Sequence, residues 1–512
     1  MEFTELADYP IPAGVLTEWL PCAAEDAWTT DPRPVSYVHE AHLRRTAGSR
    51  YGDVPDAWLG TAFEVRGHLE QEPFRRALER WIDRHEPLRS HVALGGDAAA
   101  GATRRTAPAG ATRRTAPAGA TRRTAPAGAT RRTAPAGATR RTAPAGAVSV
   151  RYVRHLPSAP DDIREHLEQL LADCTEPHTW PAYVFATLEP EDADASGSSF
   201  TVFFAADPAV ADAYSVVLVA HEITALYEQE RSGRPAGLFP VGSYIDFGAA
   251  ERADAADLAG DHEAVRIWRD ALTAGGGMPE FPLPLGPRPV DGSPQRRLSV
   301  RMLDDERANR FAARCREAGH GFFAGTLACL ARAAVELAGI ELFRTIAPAH
   351  TRSGPMWAGA LGWFVGLRPV EIDTTGTADF ATLVARAGAE LRRTRASARV
   401  PFDLVGELLG IPMRPRFLVS YMDVRFVPMA AQWPQWNART LRSRSYTHDV
   451  FLWFNRSPKG VNLAGRFPDT PTAAANVPPF VERVRELMHE VSEGRAWDTP
   501  EPANRGDPTT DR

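Results

Sequence analysis

The 512-residue chain has only four cysteines, and none of Cys22, Cys174, Cys315 and Cys329 belongs to a C-x-x-C pair. Single thiols so far apart exclude a disulfide framework and a thiolate metal centre, and they read as buried, reduced side chains. The 14 histidines contain no H-x-x-x-H or H-E-x-x-H spacing, so no metal site is expected. G-x-S-x-G is absent, and no glycine run resembles a nucleotide loop, which excludes nucleophile-elbow hydrolases and nucleotide-dependent enzymes. Long apolar runs are missing too. The longest, FFAGTLACLARAAVELAG, is broken by Arg332 and Glu336, and the opening MEFTELADYPIP is acidic with no apolar stretch. Neither a signal peptide nor a membrane span is expected, and the protein reads as cytoplasmic.

A hydrophobic content of 44% supplies core enough for two or three domains. Residues 101 to 145 are five copies of GATRRTAPA, which bring ten arginines and no acid; without them the formal charge falls from −5 to −15. A nine-residue period with Gly, Pro and no large apolar side chain cannot bury a face, so residues 95–147 are expected to be a disordered insertion. It lies between LRSHVAL and VSVRYV, two strand-like runs, where extra hairpin-loop length costs little free energy. Two readings stand open: a neutral tandem expansion, or a docking arm for an acidic partner such as a carrier protein. Nucleic acid is not expected, because no aromatic residue interleaves with the arginines and the acidic body would repel phosphates.

In QEPFRRALERWIDRHEPLRSHV the spacing of Phe74, Ala77, Leu78, Trp81 and Ile82 predicts one buried helical face. A strand near 88–94, a helix near 160–174, the strand SSFTVFFAA and a helix over 215–230 make one α/β layer system. A second follows the loop GLFPVGSYIDFGAAE. Its helices near 304–318 and 322–338 precede the strands ELFRTIAPAH, RFLVSYMDV and HDVFLWFN, and a last helix presents Phe480, Val484, Leu487 and Val491 on its apolar face. Two lobes are implied, 1–238 and 239–495, with a frayed tail over 496–512.

Three segments in this order carry a resemblance. RHEPLRSHV (84–92), SYIDFGAAE (243–251) and ALGWFVGLRPV (360–370) are similar to motifs of the condensation domains of nonribosomal peptide synthetases and of polyketide-associated acyltransferases, in the chloramphenicol acetyltransferase-like superfamily. The resemblance spans roughly residues 10 to 495, apart from the repeat. It implies an α/β fold of the α+β two-layer kind, with two lobes in a V and a tunnel between them. It also implies attack by an amine or hydroxyl on an acyl or peptidyl thioester held on the phosphopantetheine arm of a carrier protein or synthetase module. No bound cofactor or metal is implied, and a monomer is expected.

The family's H-H-x-x-x-D-G signature reads here Asp207-Pro208-Ala209-Val210-Ala211-Asp212-Ala213. Asp212 fills the terminal Asp, whose family role is structural, paired with an arginine. Pro208 stands where the catalytic His belongs, and proline has neither a titratable group nor an N–H. Positioning alone can sustain acyl transfer, since effective molarities reach about 10⁵ M or more while a general base contributes about 10²- to 10⁴-fold. An amine acceptor or a cyclisation is then expected, because an α-amino group needs no base near neutral pH. Asp207 and His350 are the candidate substitutes for the base, and His221 reads as a partly exposed helix residue. The resemblance places Tyr214, Ser215, Arg352 and Trp363 as candidate substrate-binding positions, with Ser215 also a candidate helix cap and Trp363 packing at the lobe junction. An Asp423–Arg425 ion pair is expected to steady the lobe crossing. The alternative to an enzyme is an inactive scaffold that binds a carrier protein or synthetase.

Overall fold

The computed structural model describes residues 2–47, 58–94, 138–191, 198–288, 294–376, 379–495 and 497. The first lobe contributes, in chain order, β1 (Glu2–Glu5), β2 (Gly14–Ala23), β3 (Thr29–Asp31), α1 (Tyr37–Ala47), β4 (Leu59–Arg66), α2 (Gln71–Arg84), β5 (Ser90–Ala93), β6 (Thr139–Thr142), β7 (Val148–Arg154), α3 (Pro160–Asp173), β8 (Tyr183–Pro190), β9 (Ser199–Ala206) and α4 (Ala213–Ser232). After it come α5 (Tyr244–Asp254), α6 (Glu263–Ala274), β10 (Gln295–Asp304), α7 (Asp305–Glu317), α8 (Phe322–Ala338), β11 (Leu342–His350), β12 (Val365–Asp373), α9 (Phe380–Arg393), α10 (Phe402–Leu409), β13 (Phe417–Asp423), β14 (Arg439–Arg442), β15 (Val450–Ser457), β16 (Gly460–Pro468) and α11 (Pro471–Ser492).

Two mixed sheets organise the chain, in the orders β1-β14-β4-β9-β8-β2-β7 and β10-β16-β15-β13-β11-β12, and a small third sheet runs β3-β6-β5. Alternating and continuous apolar runs explain the burial. β9, SFTVFFAA, is covered on both faces and buried from Phe200 onward. On α2 the five residues spaced for one face, Phe74, Ala77, Leu78, Trp81 and Ile82, are all buried in the first core, as the periodicity requires. Phe480, Val484, Leu487 and Val491 of α11 lie in the second core. Among the described residues, no single helix is long and apolar enough to cross a membrane.

Three expectations need correction. The chain does not stay in the second lobe after residue 238: Val424, Val427, Ala430 and Trp433 pack in the first core, and β14 pairs with β4 and β1. The Asp423–Arg425 ion pair, at 2.8 Å, stands where this return begins. Secondly, the last repeat copy is not disordered. Its residues 139–142 form β6, hydrogen-bonded between β3 and β5. The strand-like runs flanking the repeat therefore do not form one hairpin, because β5 pairs with β6 while β7 pairs with β2 in another sheet. Residues 95–137 of that expectation lie outside the described residues. A polar strand holds here because both neighbouring strands pair with it and two of its side chains find polar partners. Arg141 pairs with Glu25 at 2.7 Å, Thr142 Oγ1 donates to Asp31 at 2.9 Å, and the Arg140 side chain lies buried along its stem. Thirdly, Trp497 of the expected frayed tail is buried beside Phe380, ring centres 5.1 Å apart; residues 498–512 lie outside the described residues.

Candidate active site

β9 ends at the motif. Asp207 donates its N–H to Ala182 O at 2.9 Å and accepts at its own carbonyl from Val210 and Ala211, closing a tight turn. Its Oδ1 accepts from Ala209 N–H at 2.7 Å. Pro208 occupies the second turn position, where its fixed φ suits the bend and its missing N–H costs nothing.

The other carboxylate oxygen is the centre of the site. His42 Nε2 lies 2.9 Å from Asp207 Oδ2. The residue beside Pro208 thus does hold an imidazole, brought in from α1, and the expectation of a passage without one is corrected. The tautomer that donates Nε2–H to the carboxylate leaves the lone pair on Nδ1, which makes no hydrogen bond among the described residues. Asp207, 2% exposed, is bonded through both oxygens, to the Ala209 N–H and to the His42 imidazole.

Several elements hold α1 in place. Ser36 Oγ accepts from His39 N–H at 3.3 Å and shares a hydrogen bond with Tyr244 of α5 at 3.1 Å. Glu251 of α5 accepts from the Tyr37 N–H at 3.1 Å, Arg252 donates to Val35 O at 2.7 Å and lies over the Tyr37 ring at 3.6 Å, and it also pairs with Glu40. Gly248 allows a close approach here, since a Cβ there would meet Ser36 Cβ at 3.1 Å and push on it. Arg33, just ahead of α1, binds Asp31, Glu86 and Asp246 together. The segments RHEPLRSHV and SYIDFGAAE therefore meet at Glu86 and Asp246 to fix the approach to α1. At the helix's far end Arg45 reaches Asp403 of α10 at 2.9 Å, which sets His42 on the seam between lobes. Burial raises the Asp403 carboxyl, with the charges of Arg45 and His42 opposing.

Two further imidazoles lie near. His178 Nε2 is 2.8 Å from Thr46 Oγ1 on α1, and His39 is held well below the usual imidazole range by burial, then by Arg140, His42 and His178. A pocket of about 30 Å³, lined among others by His39, Arg140, Tyr183 and Ala209, lies behind the motif turn. It has room for a water.

Asp212 caps α4 and joins the lobes. Its Oδ1 accepts from Ser215 N–H at 2.7 Å, its Oδ2 accepts from Phe364 N–H at 3.0 Å, and Arg352 donates to both oxygens at 2.7 and 3.0 Å. Burial disfavours the ionised Asp212, but Arg352 and Ser215 outweigh it and hold the carboxyl below its usual range. Ser215 is not the cap: its Oγ lies within this node, 2.8 Å from Asp212 Oδ1 and 3.0 Å from Gly362 O, with one hydrogen to donate between them. Arg352 also reaches Ser215 Oγ and Ala360 O, at 3.0 and 3.2 Å, and lies over the rings of Tyr214 and Phe364 at 4.8 and 4.3 Å. Arg352 and Ser215, expected as substrate-binding residues, are accordingly joints of the fold, and Tyr214 packs on one of them.

His350 ends β11, exposed, opposite Val365, and among the described residues is not hydrogen-bonded to Asp207 or Asp212. Trp363 is partly buried beside the cluster of Tyr244, Ala360 and Phe364. His221, partly buried on α4, is held down by burial. The RHE segment makes a second buried node on that helix: Glu222 accepts from Trp81 at 2.8 Å and meets His85 and Arg84 at 2.6 and 3.0 Å. Burial opposes ionisation of Glu222, yet His85 and Arg84 hold its pKa at about 2.

His42 was missed in sequence. The signal available was H-E-A-H over 39–42, two histidines one helical turn apart in a segment with little apolar periodicity.

Residues 197–432 match the condensation-domain family model. Trehalose-2-sulfate acyltransferase PapA2 of Mycobacterium tuberculosis is 30% identical over 360 residues, 67% of this chain and 75% of the relative. Acyltransferase PapA3 of the same organism is 29% identical over 337 residues, 64% of this chain and 70% of the relative. The solved PapA2 acyl transferase superposes with a TM-score of 0.79 at 23% identity, covering 96% of this chain and all of that one. The condensation domain of the monacolin K polyketide synthase MokA superposes with a TM-score of 0.66 at 15% identity, covering 92% of this chain and 99% of that one. With the two-lobed fold and the Asp212–Arg352 joint in hand, these matches mean that the chain belongs to the condensation-domain family of acyltransferases, alongside the PapA enzymes.

Proposed function

We propose that the protein transfers an acyl group from the phosphopantetheine thioester of a carrier protein to a hydroxyl of a polyhydroxylated acceptor, with His42 as general base and Asp207 as its positioning residue. The observation that carries this is the 2.9 Å contact between His42 Nε2 and Asp207 Oδ2. In the step, His42 Nδ1 takes the acceptor's O–H proton as oxygen attacks the thioester carbonyl. The new C–O bond forms, the C–S bond breaks, and the proton passes on to the leaving thiolate.

An imidazole at the motif lifts the restriction to amines. A neutral alcohol is a poor nucleophile, and a positioned base contributes about 10²- to 10⁴-fold to such an attack. The relative named trehalose-2-sulfate acyltransferase acts on a sugar, which supports a sugar hydroxyl as the acceptor class. A cytoplasmic setting, where carrier proteins are loaded, goes with this reading. The test supplies an acyl-loaded carrier protein with a disaccharide and, separately, with an amino acid amide, and follows products by intact mass. Ester formation on the sugar is expected; transfer to the amine alone would contradict the proposal.

A further inference from the structure

A second group of titratable side chains lies away from the motif turn, beside α3. Glu18 of β2, His155 just after β7 and His166 of α3 bring a carboxylate oxygen and two imidazole nitrogens within 4.8 Å of one another. Glu18 Oε1 is 2.8 Å from His155 Nε2 and 2.6 Å from His166 Nε2, and the two ring centres are 4.6 Å apart. The expectation of no metal site rested on spacing along the chain. Such spacing does not register a carboxylate that is 137 and 148 residues from its two partners.

The sheet places the first two side chains. Glu18 lies opposite Val153 in the ladder of β2 and β7, and the His155 N–H donates to Leu16 O at 2.9 Å, which continues that pairing past the strand end. Residues two apart share a face, so His155 falls on the face of Val153 and Glu18, one diagonal step away. That face also carries Leu16, buried in one core cluster with Ile163, Leu167, Leu170 and Leu171 of α3. Docking of α3 through these leucines and Ile163 carries His166, next to Leu167, up to Glu18. The group sits at the rim of this core: the Glu18 side chain is 14% exposed and those of His155 and His166 are 32% and 42% exposed.

We propose that Glu18, His155 and His166 bind a divalent transition-metal ion of the zinc class, which clamps α3 to the β7 edge of the first sheet. Two imidazoles with one carboxylate suit zinc and its neighbours, whereas magnesium and calcium take oxygen ligands. Ligands about 2.1 Å from a tetrahedral ion lie about 3.4 Å from one another, so each Nε2 reaches that spacing by moving less than about 1 Å from Glu18 Oε1. A neutral imidazole with its proton on Nδ1 offers the Nε2 lone pair for this. The solvent side leaves a fourth position for water. The ion is a clamp and not a catalyst, because Glu18 pairs with Ala186, three residues along β8 from Tyr183, which pairs with Ala206 beside Asp207. Two strand spacings and three residues put roughly 14 Å between the backbones of Glu18 and the motif end of β9.

The test uses the full chain without a histidine tag, stripped with a chelator and dialysed. Zn²⁺ is titrated by calorimetry and Co²⁺ by visible absorption, Tm is followed with and without each ion, and Mg²⁺ is the control. Wild type is expected to bind one Zn²⁺ per chain, to give visible d–d bands with Co²⁺ and to gain Tm. His166→Ala removes an exposed ring and is expected to keep the metal-free Tm while weakening Zn²⁺ binding at least tenfold. His155→Ala is the second variant, with the same loss of affinity expected. No binding of Zn²⁺ by wild type, equal affinity in wild type and either variant, or equal binding of Mg²⁺ would overturn the proposal.

Discussion

Across 165 positions of sequence, Asp207 Oδ2 meets His42 Nε2 at 2.9 Å, joining the end of β9 to the middle of α1. The carboxylate has one oxygen for the turn and one for the imidazole. Asp207→Asn keeps the acceptor for Ala209 N–H but loses the charge that favours the Nε2–H tautomer. The expected result is a fall in kcat of about tenfold or more, with KM and Tm little changed. A drop in Tm matching the loss of rate would assign Asp207 to the fold alone.

Arg352 is a stability residue in this account. Its partner Asp212 is 1% exposed, so Arg352→Ala strands a buried charge at the lobe seam and is expected to cost about 3–5 kcal/mol in denaturant unfolding. Arg352→Lys recovers only part of this, because an ammonium cannot make the paired bonds of the guanidinium.

Glu251 predicts a pH dependence. Burial raises its pKa to about 7 from an ordinary 4.5, against the Tyr37 N–H bond and Arg252. The fold prefers the neutral acid, so this group's contribution is fully present below pH 4.5 and is lost as pH rises towards 7, by at most about 3 kcal/mol. Unfolding free energies measured from pH 4.5 to 7.5 should fall in wild type and lose that slope in Glu251→Gln. Since Glu251 receives the first turn of α1, the same variant reports on how firmly His42 is presented.

The last repeat copy contributes β6. Deleting residues 101–136 leaves every described residue in place, and the change in chain length between β5 and β6 is expected to cost or gain about 1 kcal/mol. Deleting 101–145 removes β6, the Arg141–Glu25 pair and the Thr142–Asp31 bond, and should lower Tm clearly more. Equal melting of the two deletions would show that β6 contributes nothing.

Some of these features are legible in the amino-acid sequence and others are not. The α2 and α11 faces were legible because their apolar spacing is local and strict. That Asp212 pairs with an arginine was legible through motif resemblance, although Arg352 as that arginine, and the bonds of Ser215 into the same node, were not. β6 was invisible because its stability comes from ladder bonds to β3 and β5 and from a buried arginine stem, none of which composition reveals. His42 was invisible for a related reason. Its helix has little apolar periodicity, its position depends on Glu251, Arg252 and Arg33, and its partner lies in another part of the chain.

The decisive measurement is the rate of acyl transfer from a loaded carrier to a sugar hydroxyl in wild type, His42→Ala and His350→Ala, with folding checked by Tm. A loss of about 10²- to 10⁴-fold is expected in His42→Ala and little change in His350→Ala. Undiminished transfer by a folded His42→Ala protein would contradict a general base at that position.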